Sequence, residues 1–317
     1  MRVAVTGSAG FVGSCLVTCL SKHGHDVVPA DIRAVPAIDM MNPEQLLDHL
    51  TGVDAIVHLA AEAYAERADE DPARAVSLNA VGTANVLAVA RKLGARVIYG
   101  STIWVYGSAG TESTPGQYDE HEPLLVTADR HVYTTSKLAG ELLTRDFVSM
   151  YGLQATILRF GIPYGAGMRH QAVLPRFCRA VLRGEPIELA DGGRQGRQFL
   201  DVRDLAEGQR AALEAGETGP IYNLVADEFT TIAQVAEAVM TAAGKRVPIV
   251  HRDGRRGDFS PGRLVSSRRA KRDLGWRANI SFMDGVRDYW EWFRSNAPAE
   301  PGAGVAACSS GGARQLV

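Results

Sequence analysis

Residues 3–14 read VAVTGSAGFVGS, and the chain that follows them closes its next apolar run with HDVVPAD at 25–31. Gly7, Gly10 and Gly13 stand between a β-branched run, RVAVTG (2–7), and a helical pattern from about Phe11 to His23. Glycine here lets the backbone turn sharply out of a strand and approach a pyrophosphate, whose charge meets the free N–H groups of the helix N-terminus. Three glycines alone are a weak signal. The second signal is Asp31, 18 residues after Gly13, where a carboxylate can accept both hydroxyls of a ribose. The same carboxylate repels a 2′-phosphate, so NAD is expected over NADP, with Arg33 two residues on softening the discrimination. Gly7, Gly10, Phe11, Val12, Gly13, Asp31, Ile32 and Arg33 form the candidate cofactor set at this end. The plainer alternative is a tight strand–helix turn capped by Asp31.

Outward from this stretch, DAIVHLA (54–60), RVIYGST (96–102) and QATILRF (154–160) read as further strands. Helical patterns lie near 43–50 and at about 72–93 and 130–151. Apolar strands with little alternation, separated by helices, predict a parallel sheet covered on both faces. Right-handed crossovers make that a Rossmann-type doubly wound α/β fold. After Gly161 the pattern loosens: helices near 172–183, 202–215, 231–243 and 282–295 alternate with strands at 187–190 and 220–224. The expected organisation is a dinucleotide-binding domain over 1–161 and a smaller α/β substrate-binding lobe over 162–295, interleaved with the first. The Ala/Gly/Ser/Pro-rich end, 296–317, reads as a disordered tail.

Composition narrows the class. The chain has 317 residues, 34 Lys+Arg against 36 Asp+Glu, and 46% hydrophobic residues. The balanced charge offers no footprint for nucleic acid or an anionic membrane. No stretch reads as the ~20 apolar residues of a membrane span. One basic residue followed at once by a Gly-rich turn does not read as a signal peptide. Cys15, Cys19, Cys178 and Cys308 are spaced too widely for a zinc ribbon or a disulfide framework. Reduced thiols, a cytoplasmic location and no metal are the expectations.

The second constellation is Tyr133-Thr-Thr-Ser-Lys137, whose spacing puts tyrosine and lysine on one helix face. A phenol titrates near pH ~10, so it is a poor base at neutral pH unless a neighbouring cation favours the phenolate. Tyr-x-x-x-Lys is common by itself. Placed 120 residues after Gly13, behind a dinucleotide fingerprint, it points to proton transfer beside a nicotinamide.

Taken together these motifs resemble the extended short-chain dehydrogenase/reductases of the NAD-dependent epimerase/dehydratase family, most of all the nucleotide-sugar 4-epimerases. The resemblance runs over roughly residues 2–294. It includes HLAA (58–61), NAVGTANVL (79–87), STIWVYG (101–107), RFGIPYG (159–165), RQGRQFLDVRD (194–204), RRGD (255–258) and SSRRAKRDLGW (266–276). It implies that Thr102 hydrogen-bonds the sugar 4-oxygen and orients it toward Tyr133. It implies that Lys137 holds the nicotinamide ribose and depresses the tyrosine pKa. Asp39 and Met40 fall where the family contacts adenine, Leu59, Ala60 and Ala61 where backbone lines the cofactor, and Asn79 near the nicotinamide. Arg197 and Arg255 match two arginines that clamp the substrate diphosphate, with Arg256 able to replace Arg255. The arginine-rich stretch 263–272 reads as a solvated helix face.

The departures are informative. The family's 4,6-dehydratases carry an Asp-Glu pair after the catalytic Thr; here Ile103-Trp104 stands instead. Ile162-Pro163 and Ala68 replace polar positions, implying an altered sugar pocket. The expected activity is therefore nucleotide-sugar 4-epimerisation, on a UDP-hexose or UDP-uronate, through a transient 4-keto sugar. A 4-ketosugar reductase, a UDP-glucuronate decarboxylase or dehydratase, and a non-catalytic NAD-binding scaffold are the alternatives. Helices 72–93 and 130–151 match the family's intermolecular four-helix bundle, and each carries apolar residues at helical spacing (Val76, Ala80 and Val86; Leu138, Leu142 and Phe147), so a homodimer is expected; the plainer alternative is that these faces only cover the sheet.

Overall fold

Val3, Ala4 and Val5 are wholly buried, because the strand that carries them is covered by helices on both faces. A computed structural model of the chain describes residues 1–107, 117–124, 131–253 and 264–296. In chain order the first elements are β1 (Arg2–Thr6), α1 (Phe11–Lys22), β2 (Asp26–Ala30), α2 (Pro43–His49), β3 (Ala55–His58), α3 (Ala65–Glu70), α4 (Pro72–Val76) and α5 (Gly82–Leu93). They continue with β4 (Arg96–Thr102), α6 (Val132–Tyr151) and β5 (Ala155–Phe160). Beyond residue 161 come β6 (Ile162–Tyr164), α7 (Val173–Arg183), β7 (Ile187–Ala190), β8 (Gly196–Arg197), β9 (Phe199–Asp201), α8 (Val202–Ala215) and β10 (Ile221–Leu224). The last are β11 (Thr230–Thr231), α9 (Ile232–Ala243), β12 (Ile249–Arg252), α10 (Arg268–Leu274) and α11 (Phe282–Asn296).

The main sheet is six-stranded and parallel, in the order β10-β5-β4-β3-β1-β2. The strand order reverses between β1 and β3, and such a switch point opens a crevice at the carboxyl ends of the strands. The Gly-rich turn leaves β1 into that crevice. One face of the sheet is covered by α1 and α8 over Leu16, Leu20, Leu205 and Leu213, the other by α2, α5 and α6 over Leu46, Leu50, Val86 and Leu87. A separate core, with Leu174, Phe177, Val235, Val239, Val286 and Trp290, holds the second lobe together through α7, α9 and α11.

Three features differ from the sequence reading. First, β10 and α8 come from beyond residue 161 yet complete the main sheet and its covering layer. A contiguous run is thus not what builds the Rossmann unit. Second, the helix expected over 72–93 is three pieces, with a π-helical turn, Ser77–Val81, between α4 and α5. An 18-residue stretch of that 22-residue run reaches a mean hydropathy of 1.2, span-like by length and composition, yet Val86, Leu87, Val89 and Ala90 on it are buried against the sheet. Third, short strands such as β8 and β9 had no periodic signal at two or three residues each.

Candidate active site

At the nucleotide end the backbone decides everything. Gly7 has φ +70°, and a Cβ there would lie 2.8 Å from the Ala60 nitrogen. A Cβ on Gly13 would lie 2.1 Å from the Gly7 carbonyl oxygen, so the first turn of α1 packs directly on the loop. Gly10 is the N-cap of α1; no side chain caps it and no acidic residue lies in the first turn. Asp31, only 6% exposed, accepts from the Ala9 N–H at 3.0 Å and from the Arg33 N–H at 2.8 Å. The Arg33 guanidinium stays 3.3 Å from the same carboxylate while remaining largely exposed. Asp31 therefore braces the glycine loop as well as ending the second strand.

These features fit a dinucleotide. An uncapped helix N-terminus with close-packed glycines suits a diphosphate, and a buried carboxylate at the next strand end suits a ribose. The residues that would hold NAD are the Gly7–Gly13 backbone, Asp31, the chain at Leu59–Ala61 and Lys137. Phe11 and Val12 send their side chains into the cores of the second lobe and of the α1/α8 layer respectively, leaving their N–H groups as what they can offer. Ile32 is 62% exposed. Asp39 is exposed, but Met40 is buried, with its side chain packed under Gly82. The Met40 side chain thus belongs to the core rather than to an adenine wall.

At the other end, β4 and α6 bring Thr102, Tyr133 and Lys137 together. Thr102 is 4% exposed; its hydroxyl accepts from the Trp104 N–H and lies close enough to the Tyr133 phenol to favour its ionised form. Lys137 is buried, with Nζ 4.3 Å from the centre of the Tyr99 ring, and the Tyr99 hydroxyl donates to the Lys137 carbonyl. Burial pushes the Tyr133 phenol up to about 12, against the Thr102 hydrogen bond, and pulls Lys137 down to about 7, against the pull of Glu141. Desolvation is the largest influence on both groups, so a phenolate needs further positive charge in the site.

Several residues hold this arrangement in ways that the sequence reading did not foresee. Asn79, on the π-turn, is fully buried; its amide donates to Ser136 Oγ at 2.9 Å and to the Glu62 carbonyl, and accepts from the Glu62 N–H at 2.8 Å. Ser136 lies between Tyr133 and Lys137, so Asn79 anchors the catalytic helix to the chain beyond β3. His58 is sandwiched between Thr6 Oγ1 (2.7 Å) and Thr83 Oγ1 (3.0 Å), and burial pushes it down to about 3. Thr83 donates to the Asn79 carbonyl, so the neutral His58 ring carries its proton on Nε2 and accepts from Thr6. The available signal was a polar residue within an apolar strand, as with Thr6 and His58.

Toward the sugar side, Arg197 on β8 lies 5.6 Å over the Trp104 ring, and His131 meets the same ring edge-on at 5.6 Å. Arg197 thus packs on the indole that stands two residues after Thr102 in the chain. Ala68 is buried in α3, and Ile162 packs on the second lobe. Arg255 and Arg256 lie outside the described residues, as do Cys308 and nearly all of the 296–317 tail. Cys15, Cys19 and Cys178 are free.

A strand–glycine-loop–helix crevice with a Thr/Tyr/Lys face is the signature of a dinucleotide-dependent enzyme fold. The chain belongs to the NAD dependent epimerase/dehydratase family, whose profile matches residues 3–224. It is similar to UDP-glucose 4-epimerase of Thermotoga maritima, solved with UDP-glucose, at 26% identity and a TM-score of 0.83, covering 93% of this chain and 99% of that one. It is similar to dTDP-glucose 4,6-dehydratase of Streptomyces venezuelae, crystallised with NAD, at 27% identity and a TM-score of 0.82, covering 93% and 98%. UDP-glucuronic acid decarboxylase 6 of Arabidopsis thaliana is 31% identical over 93% of this chain and 89% of its own length. The family is NAD-dependent, and its members here act on nucleotide sugars.

Proposed function

We propose that the protein is a nucleotide-sugar 4-epimerase, acting on a UDP-hexose or UDP-uronate through a transient 4-keto sugar. The observation that carries this reading is Ile103-Trp104. Elimination of water needs an acid and a base beside Thr102, and neither an aliphatic side chain nor an indole titrates. Trp104 is, moreover, engaged by His131 and Arg197.

When bound, NAD supplies the redox chemistry by taking up and returning the C4 hydrogen. Thr102 orients the 4-hydroxyl. Tyr133 takes its proton on oxidation and gives it back on reduction. Lys137 adds positive charge that, with the cofactor, offsets the desolvation of the phenol. Arg197 holds the diphosphate while the keto sugar turns over. A substrate deuterated at C4 is expected to give epimerised product that retains the label, with no solvent deuterium on any ring carbon. Solvent label at C5 or C6 would assign a dehydratase, release of carbon dioxide a decarboxylase, and net consumption of reduced cofactor a reductase.

A homodimer is part of the proposal. Val76, Val81, Leu142 and Met150 are 43–69% exposed on the neighbouring 72–93 run and α6. Val86 is buried and Phe147 packs inward, so those two cover the sheet instead of a partner. Light scattering is expected to give twice the chain mass of 34.0 kDa, and Leu142→Glu to give the monomer.

A further inference from the structure

Glu141 lies one helical turn beyond Lys137 and two beyond Tyr133, and is 2% exposed. Its carboxylate accepts from Ser101 Oγ at 2.5 Å and, in a fork, from Arg159 Nε and Nη2 at 3.0 and 2.8 Å. Ser101 is the residue before Thr102 on β4, and Arg159 is its register partner on β5. One carboxylate therefore ties the catalytic helix to both strands beneath it. The close approach is possible because residue 140 is glycine: a Cβ there would fall 2.0 Å from the Tyr99 hydroxyl. The Arg159 guanidinium in turn lies 4.8 Å over the Tyr106 ring, whose hydroxyl bonds to Asn223 Oδ1 on β10.

A buried ion pair serving only to fill space can be replaced by apolar side chains at little cost. This pair has a second effect through its position. Lys137 faces Tyr99 on β4 and the neutral His58 on β3, with Tyr133 and Glu141 on its own helix. Of these groups only Glu141 is an anion at neutral pH, and it favours the proton on Lys137 while burial disfavours it.

We propose that Glu141 is a positioning residue of the site: it fixes the Thr102 end of β4 against the Tyr133/Lys137 face, and it holds the proton on Lys137. This rests on the reading of Thr102, Tyr133 and Lys137 as the reacting face. The chain has only five lysines, so full-length protein labelled with 13Cε-lysine and loaded with NAD gives five resolvable titrations, with Lys137→Arg to assign the one of interest. In Glu141→Gln the Lys137 proton affinity is expected to fall at least about tenfold, one pH unit. The alkaline limb of the turnover profile should move by the same amount, and Glu141→Asp should restore both. Because Glu141→Gln strands a buried guanidinium, the Glu141→Gln/Arg159→Gln double variant is measured beside it; loss of the Arg159 cation offsets part of the effect, so a smaller fall in the same direction is expected there. An unchanged Lys137 titration in either folded variant overturns the charge role. Ser101→Ala removes a single hydrogen bond and tests the geometry: about fivefold lower kcat with unchanged KM and NAD affinity supports it, and unchanged kcat overturns it. Full turnover in Tyr133→Phe would instead sink the reading of the site, and the lysine titration would still report on Glu141.

Discussion

The two ends of the crevice are built by opposite means. The nucleotide end is short-range and mostly backbone: Gly7, Gly10 and Gly13, an uncapped helix and Asp31 fall within 25 residues, and steric contact dictates each glycine. The sugar end gathers Thr102, Trp104, Tyr133, Lys137 and Arg197 from three elements and the turn after β4, and side-chain chemistry dictates them. The first tolerates no added atom. The second tolerates atoms but not changed protons, so a substitution at either end should fail in its own way.

The largest effect is expected from Tyr133→Phe. Removing the proton acceptor should lower turnover by about 10²–10⁴-fold, with NAD affinity unchanged by calorimetry; a variant that also lost NAD would erase the separation between the two ends. Gly13→Ala should do the reverse. Its methyl would meet the Gly7 carbonyl at 2.1 Å, so the loop must shift, at a cost of about 1–3 kcal/mol or more in thermal unfolding and with loss of NAD binding. Asp31→Asn keeps the shape and removes the charge. NAD should bind about tenfold more weakly, the lower part of what a charged hydrogen bond is worth, and NADP should gain, because Arg33 no longer has its partner. NADP binding as weak as in the parent would assign the selectivity to shape rather than charge.

The smallest effect belongs to His58, between the two ends. Its proton affinity is ordinary when unfolded and pushed down to about 3 when folded, by burial. Between pH 6.5 and 3 the unfolded chain binds the extra proton, so stability is present above that window and falls as pH drops through it. Urea titrations should show a loss approaching about 1 kcal/mol per pH unit from this residue below pH 6, and His58→Gln should be flatter there. Equal slopes would mean that His58 stays solvated.

Asp31 and the glycines were readable because their partners lie within a turn or two of chain, where sterics act through spacing alone. Tyr133 and Lys137 were readable as a pair because helical pitch puts them on one face. Asn79 and Ser136 are 57 residues apart, and Glu141 and Arg159 sit on a helix and a strand 18 apart; nothing periodic links them. Met40 shows the converse, since a loop position expected at the cofactor turns its side chain into the core under Gly82.

By itself, the sequence determined the parallel α/β class, the dinucleotide loop and the Tyr/Lys face, because each follows from spacing and local sterics. Tertiary structure alone decided that β10 and α8 return from beyond residue 161 to finish the sheet. It also decided that burial drives Tyr133 up and Lys137 down, and that one carboxylate, Glu141, joins helix to strands. Desolvation and long-range hydrogen bonds depend on what surrounds a group, and only the folded chain supplies those surroundings.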